Sequence, residues 1–129
     1  MVSRPPENAE RRTVLLVDDD DAVRTMIARY LVLNGFAVTQ ACNGLDALAA
    51  LRSGGTIGAI VLDLRMPVMD GWAFRRAQRE DLVLAPIPVI VLSGADADRF
   101  SELDADAVFE KPVTLSSLAA ALRRFVKSS

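Results

Sequence analysis

The sequence predicts an α/β domain, a doubly wound (βα)5 arrangement around a five-stranded parallel sheet, whose order 2-1-3-4-5 is borrowed from a common doubly wound fold. Three observations carry this. Short apolar runs alternate with segments of helical periodicity, the pattern of βαβ units joined by right-handed crossovers. Four of those runs lead into polar, chemically useful residues. Val14–Val17 ends on Asp18 and Asp19, Ala59–Leu62 on Asp63, Val89–Leu92 on Ser93, and Ala107–Phe109 leads through Glu110 to Lys111. Finally, 129 residues, 51% of them hydrophobic, are enough for one buried core.

Residues 1–11 read as a polar tail without the apolar centre of a signal peptide, and residues 12–127 as a single domain. After the first strand, Asp20 and Asp21 can cap a helix in which Val23, Met26, Ile27, Tyr30 and Leu31 recur at i, i+3, i+4, i+7 and i+8. Asn34-Gly35 stops it. Phe36 to Ala41 reads as a second, less buried strand. Asn43-Gly44 leads into a helix with Leu45, Leu48 and Leu51, closed by Ser53-Gly54-Gly55. The strand ending on Asp63 comes third, and a helix from about Gly71 to about Arg79 follows. Pro86 and Pro88 predict an extended approach to the fourth strand. A short helix over Asp96 to Leu103 precedes the fifth strand. Thr114 then caps a last helix with Leu115, Leu118, Leu122 and Phe125 on one face.

Composition excludes several functions. A net charge of −2 gives no electrostatic footprint for nucleic acid or an anionic membrane. The longest apolar stretch, Leu82 to Leu92, is interrupted by Pro86 and Pro88 and is too short to span a bilayer. Two basic clusters, Arg75, Arg76 and Arg79, and Arg123, Arg124 and Lys127, read as solvated helix faces. The single cysteine, Cys42, excludes an internal disulfide, fits a reducing cytoplasm and reads as a small core or edge-strand residue. The chain contains no histidine, so it holds no phosphohistidine and no imidazole base.

In the predicted strand order the first and third strands are neighbours at the switch point, so Asp18, Asp19 and Asp63 converge. Carboxylates held together repel unless a cation sits among them. Oxygen ligands without histidine or cysteine favour Mg²⁺, which keeps open positions for phosphate oxygens. Three negative charges then meet three positive ones, from Mg²⁺ and Lys111. Asp63 suits a carboxylate nucleophile that forms an acyl phosphate, with Ser93 donating to a phosphate oxygen, Lys111 pairing with another and Gly94 leaving room. Each piece alone has a plainer reading: helix-capping acids, a strand-end hydroxyl, a solvated lysine, a Pro and Asp-Gly turn. Their joint placement at strand ends favours a site.

Val17-Asp-Asp, Asp63-x-Arg-Met-Pro-x-Met-Asp-Gly71, Leu92-Ser-Gly94 and Lys111-Pro112 together resemble a two-component response-regulator receiver domain, of flavodoxin-like fold, from about Arg12 to about Lys127. The resemblance implies that Asp63 is the phosphoacceptor. It implies that Asp19, Asp63 and the backbone carbonyl of Arg65 bind Mg²⁺ directly, with Asp18 acting through water. Ser93 would be the switch hydroxyl, Lys111 the salt-bridge partner and Lys111-Pro112 a cis peptide. The donor would be a phosphohistidine on a sensor histidine kinase or a histidine phosphotransfer protein, and the output an unidentified protein target, with no nucleic acid or membrane involved.

Three features depart from the family pattern. Val108 stands where an aromatic switch residue is common, with Phe109 pointing to the other face. Val113 replaces a common Phe. The segment between Ser93 and Lys111 is about four residues short, roughly one helical turn. These place the atypical part of the molecule on its partner-facing surface. Ala95 offers no acid or amide to orient water, which predicts slow loss of phosphate. Two rival readings stand beside this one. A receiver that only docks, independent of phosphorylation, would tolerate Val108 and the short segment. A haloacid-dehalogenase-type phosphatase fits Asp19-x-Asp21-x-Val23 but demands an acidic pair after Lys111, where this chain has no Asp or Glu.

Overall fold

The computed structural model describes residues 13–53, 56–66, 68–94 and 104–126. Five strands, β1 (Thr13–Val17), β2 (Ala37–Ala41), β3 (Ile57–Asp63), β4 (Val89–Ser93) and β5 (Ala107–Glu110), form one sheet of order β2-β1-β3-β4-β5, every pair parallel. Between them run α1 (Asp21–Leu33), α2 (Gly44–Arg52) and α3 (Gly71–Glu80), and α4 (Leu115–Leu122) follows β5. The expected tail, the Gly54-Gly55 stop, Ala95, the short helix over Asp96 to Leu103 and Lys127 lie outside the described residues.

Strand alternation divides the core into two layers. Leu15, Val17, Ile60, Leu62, Val89 and Val91 pack with Leu48, Leu51, Trp72 and Phe74 of α2 and α3. Val14, Leu16, Ala59, Val61, Ile90 and Leu92 pack with Ile27, Leu31, Leu118 and Leu122 of α1 and α4. Central strands covered on both faces read as unbroken apolar runs, as these do. Burying that apolar surface is the main term holding the sheet together.

Helix starts are set by short acceptors. Asp20, Asn43 and Asp70 accept from the backbone N–H of Val23, Asp46 and Ala73 at 3.1, 2.9 and 2.9 Å. Thr114 occupies the corresponding position of α4, yet its side chain makes no capping bond. Met26 and Leu45, expected on buried faces, are 52% and 49% exposed, because each lies at the margin of its helix's apolar stripe.

Two other expectations fail. The chain before β4 is not extended. Leu84 and Ala85 donate to the Asp81 carbonyl and Ile87 to that of Leu84, closing turns from Asp81 onward. Arg75 is not solvated but buried. Its guanidinium donates to Gln78 Oε1 at 2.7 Å and to the Asp104 carbonyl at 2.8 Å, while Gln78 donates to the carbonyls of Leu84 and Ile87. One buried cluster thus ties α3 to the turns before β4 and to the chain entering β5, where Asp106 accepts from Val89 N–H. Burial, then the neighbouring Arg79, lower the Arg75 pKa, partly offset by Asp106 and Asp104.

Removing Arg75 leaves buried acceptors without a donor, so Arg75→Leu is expected to cost roughly 2–4 kcal/mol in urea unfolding. Exposed Arg76→Ala should stay within about 0.5 kcal/mol. Equal losses in the two variants would contradict the network.

Candidate functional site

Strand register builds the site. Asp18 follows β1, Asp63 closes β3 against Leu92 of β4, and Ser93 closes β4 against Glu110 of β5. Lys111 follows β5, its backbone N–H donating to the Ser93 carbonyl at 2.8 Å. The carboxyl ends of β1, β3, β4 and β5 therefore meet on one rim, where ligands of open α/β sheets bind.

Asp18, Asp19 and Asp63 each offer an oxygen within 4.8 Å of the others. Asp18 and Asp63 are buried and Asp19 is exposed. The Lys111 ammonium lies 3.1 Å from Asp63 Oδ1 and 3.7 Å from Asp18 Oδ2. Asp18 Oδ1 accepts from the Asp20 N–H at 2.9 Å, whereas buried Asp18 Oδ2 accepts no hydrogen bond. Burial pushes the Asp63 carboxyl up to about 6, and the Asp18 charge adds to it. Lys111, by charge and hydrogen bond, and the Arg65 backbone work in the opposite direction. Burial also acts against the Lys111 ammonium, but Asp63, Asp18 and Asp19 more than offset it and raise its pKa.

One ammonium thus faces three carboxylates, two of them buried. A bare buried oxygen, hard donors only and an unbalanced negative charge fit a hard divalent cation such as Mg²⁺.

The loop after Asp63 holds its shape by close backbone contact. Gly71 N–H donates to the Leu64 carbonyl at 2.9 Å, and a Cβ on Gly71 would lie 2.7 Å from Leu64 Cα. Likewise Gly44 N–H donates to the Met69 carbonyl, and a Cβ there would lie 2.8 Å from that oxygen. Val68, in the same loop, has φ 71°, a strained value for a β-branched residue. Among the described residues, a Cβ at Gly94 would meet nothing within 4 Å. The Lys111-Pro112 peptide is cis.

Val108 is 40% exposed and pairs with Val91, on the sheet face opposite Phe109, which packs into the α1/α4 layer. Cys42 is exposed one residue past β2, donating to Asp46 Oδ2 at 2.9 Å, so the expected core or strand position is wrong. That bond and the Asp46 charge raise its pKa. Asp21 turns away from the cleft to pair with Arg24, which removes it from any nucleophile pair with Asp19. Sequence reasoning missed Arg24 itself and the Asp70 cap. The signals were a lone basic residue in an acidic first turn and an Asx residue directly before a helix. No helix among the described residues is long and apolar enough to cross a membrane.

Residues 14–123 match the family model described as "Response regulator receiver domain". Among curated proteins, the chain is 35% identical over 112 residues to "Transcriptional regulatory protein TcrA" of Mycobacterium tuberculosis, covering 85% of this chain and 44% of that protein. It is 38% identical over 120 residues to "Sensor kinase CckA" of Brucella abortus, covering 89% of this chain and 12% of that one. The chain therefore spans less than half the length of these relatives. A crystal structure of a response regulator receiver protein from Pseudomonas putida superposes with TM-score 0.83 at 29% identity, covering 88% of this chain and 97% of that one.

The raised Asp63 pKa means that the folded, cation-free chain binds this proton more tightly than the unfolded chain. The stability so gained is present below the ordinary value of 3.8 and lost as pH rises through about 6. Thermal unfolding in EDTA should therefore fall more steeply between about pH 4 and about pH 6 in wild type than in Asp63→Asn. Mg²⁺ at neutral pH should restore several degrees in wild type only. Matching pH profiles for the two proteins would refute this. At Val68, 75% exposed, Asn adopts the left-handed conformation more readily. Val68→Asn should add about 1 kcal/mol in urea unfolding; an unchanged midpoint would show that the loop carries no strain there.

Proposed function

This chain belongs to the response regulator receiver domain family, and on that footing we propose that Asp63 is its phosphoacceptor. It is a receiver domain of two-component signalling. The observation that carries the proposal is the Asp63 carboxylate itself: buried, closing the central strand β3, and 3.1 Å from the Lys111 ammonium.

An Asp63 oxygen attacks the phosphorus of a phosphohistidine supplied by a partner, a sensor histidine kinase or a histidine phosphotransfer protein. The O–P bond forms as the P–N bond breaks, the electron pair staying on the leaving imidazole. Asp19, Asp63 and the Arg65 carbonyl would hold Mg²⁺ directly, and Asp18 through water. When bound, the cation offsets the carboxylate charges and the negative charge of the transferring phosphoryl group. Lys111 stays in place to pair with a phosphoryl oxygen once Asp63 is phosphorylated. Ser93, buried at the neighbouring strand end, is the hydroxyl that turns to a second oxygen. The acyl phosphate replaces one negative charge by about two, and the domain answers by shifting between two surface conformations.

The donor must cover the rim, and apolar surface is available there. A recess of about 340 Å³, lined by Val23, Met26, Ile27, Leu92, Lys111, Pro112 and Val113, opens beside the ammonium. The chain acts as a regulator that catalyses only its own phosphorylation and dephosphorylation. Its relatives include a transcriptional regulator and a sensor kinase; its own downstream target is a protein. Retention of every acid, the hydroxyl and the lysine favours this over a module that docks independently of phosphorylation. Asp21's position outside the cleft disfavours the phosphatase reading.

Acetyl phosphate with Mg²⁺ should give one phosphate adduct by intact mass, absent without Mg²⁺ and absent in Asp63→Asn. An unmodified wild-type protein, or an adduct that persists in Asp63→Asn, would sink the assignment.

A further inference from the structure

We propose that Arg24 is a positioning residue for cation binding, fixing the peptide that aims the Asp18 and Asp19 carboxylates into the cleft. The inference rests on the reading of that cleft as a Mg²⁺ site. Arg24 lies in the first turn of α1 with its side chain only 14% exposed. Its three donor arms are all engaged. Nη1 donates to the Asp18 backbone carbonyl at 2.8 Å, Nε to Gln40 Oε1 at 3.0 Å and Nη2 to Asp21 Oδ1 at 2.6 Å. The guanidinium is therefore located by two elements at once, the first turn of α1 and the tip of β2.

Its bond to Asp18 completes a nearly full restraint of that residue. The Asp18 N–H donates to the Ala41 carbonyl at 3.1 Å and its Oδ1 accepts from Asp20 N–H. With the carbonyl held by Arg24, Asp18 Oδ2 is the atom left without a hydrogen bond, and it lies in the cleft. The peptide unit is planar, so holding the Asp18 carbonyl also fixes the Asp19 N–H and Cα. That sets the direction in which the exposed Asp19 carboxylate leaves the backbone. Two carboxylates of the set are thus oriented through one carbonyl.

Arg24 also places a positive charge beside the run Asp18 to Asp21, easing the repulsion among them without entering the cleft. A guanidinium suits this task because its planar fork reaches three acceptors in fixed directions, which one ammonium cannot do. Groups that orient metal ligands without touching the metal are worth 10–100-fold in affinity when removed (roughly).

The test is a Mg²⁺ titration of folded protein by calorimetry, with folding checked by circular dichroism. Arg24→Gln should raise the Mg²⁺ Kd about tenfold or more. Arg29→Gln, at an exposed basic position of the same helix, should bind within about twofold of wild type. A role confined to fold stability would lower the unfolding temperature and leave the Kd of the folded protein unchanged, and that result overturns the proposal. If Arg24→Gln does not fold, Arg24→Lys decides: a raised Kd supports the role of the fork and a wild-type Kd overturns it. Wild type that binds no Mg²⁺ overturns the reading of the cleft, and the proposal with it. Wild type that binds while the folded Arg24 variant binds equally well overturns the positioning role alone.

Discussion

Three carboxylates share a cleft with one ammonium, and most of the molecule serves to keep them there. Charges of one sign separate when the backbone allows it. Here the backbone does not, because β1 and β3 are covered on both faces and enter the rim in fixed register. Asp63 cannot retreat to solvent without pulling the end of the central strand out of the core. Asp18 is bound through its amide, its carbonyl and one carboxylate oxygen. The repulsion is therefore stored as an affinity for whatever cation or proton arrives. Lys111 relieves part of it from the far side, through a ladder that ends on the Ser93 carbonyl.

Much of this was legible in the sequence, for identifiable reasons. Each inner strand is a short apolar run that stops on a polar residue, so the run gave the strand and the stop gave the site. Strand order made Asp18, Asp19 and Asp63 neighbours before any coordinates did. Ser93 and Lys111, which alone read as a strand-end hydroxyl and a solvated lysine, are brought to one rim by β4 and β5. Val108 and Phe109 fell on opposite sheet faces, as alternation requires.

What the sequence hid were contacts between residues far apart along it. Nothing in the composition of α3 distinguishes Arg75, buried and bonded to Asp104 twenty-nine positions on, from Arg76, which faces solvent. The helical template placed Met26 and Leu45 on apolar stripes but could not say how wide the covered stripe is. Pro86 and Pro88 suggested extension, yet the Asp81 carbonyl and carboxylate gather the backbone N–H groups of Val83 to Ala85 into turns. A distant partner decided Arg75, whereas the turns before β4 are held by a near neighbour, Asp81.

The Gly71 contact has an optical consequence. The chain's single tryptophan, Trp72, is the next residue, buried at 7% exposure in the α2/α3 layer. Its only tyrosine, Tyr30, packs on the opposite side of the sheet. Because Gly71 is bonded to Leu64, one residue past Asp63, the indole is joined to the loop by a short, stiff stretch of backbone. The molecule thus carries one native chromophore mechanically coupled to the loop of its candidate site. Emission excited at the red edge of its absorption comes from that single indole, without an added label.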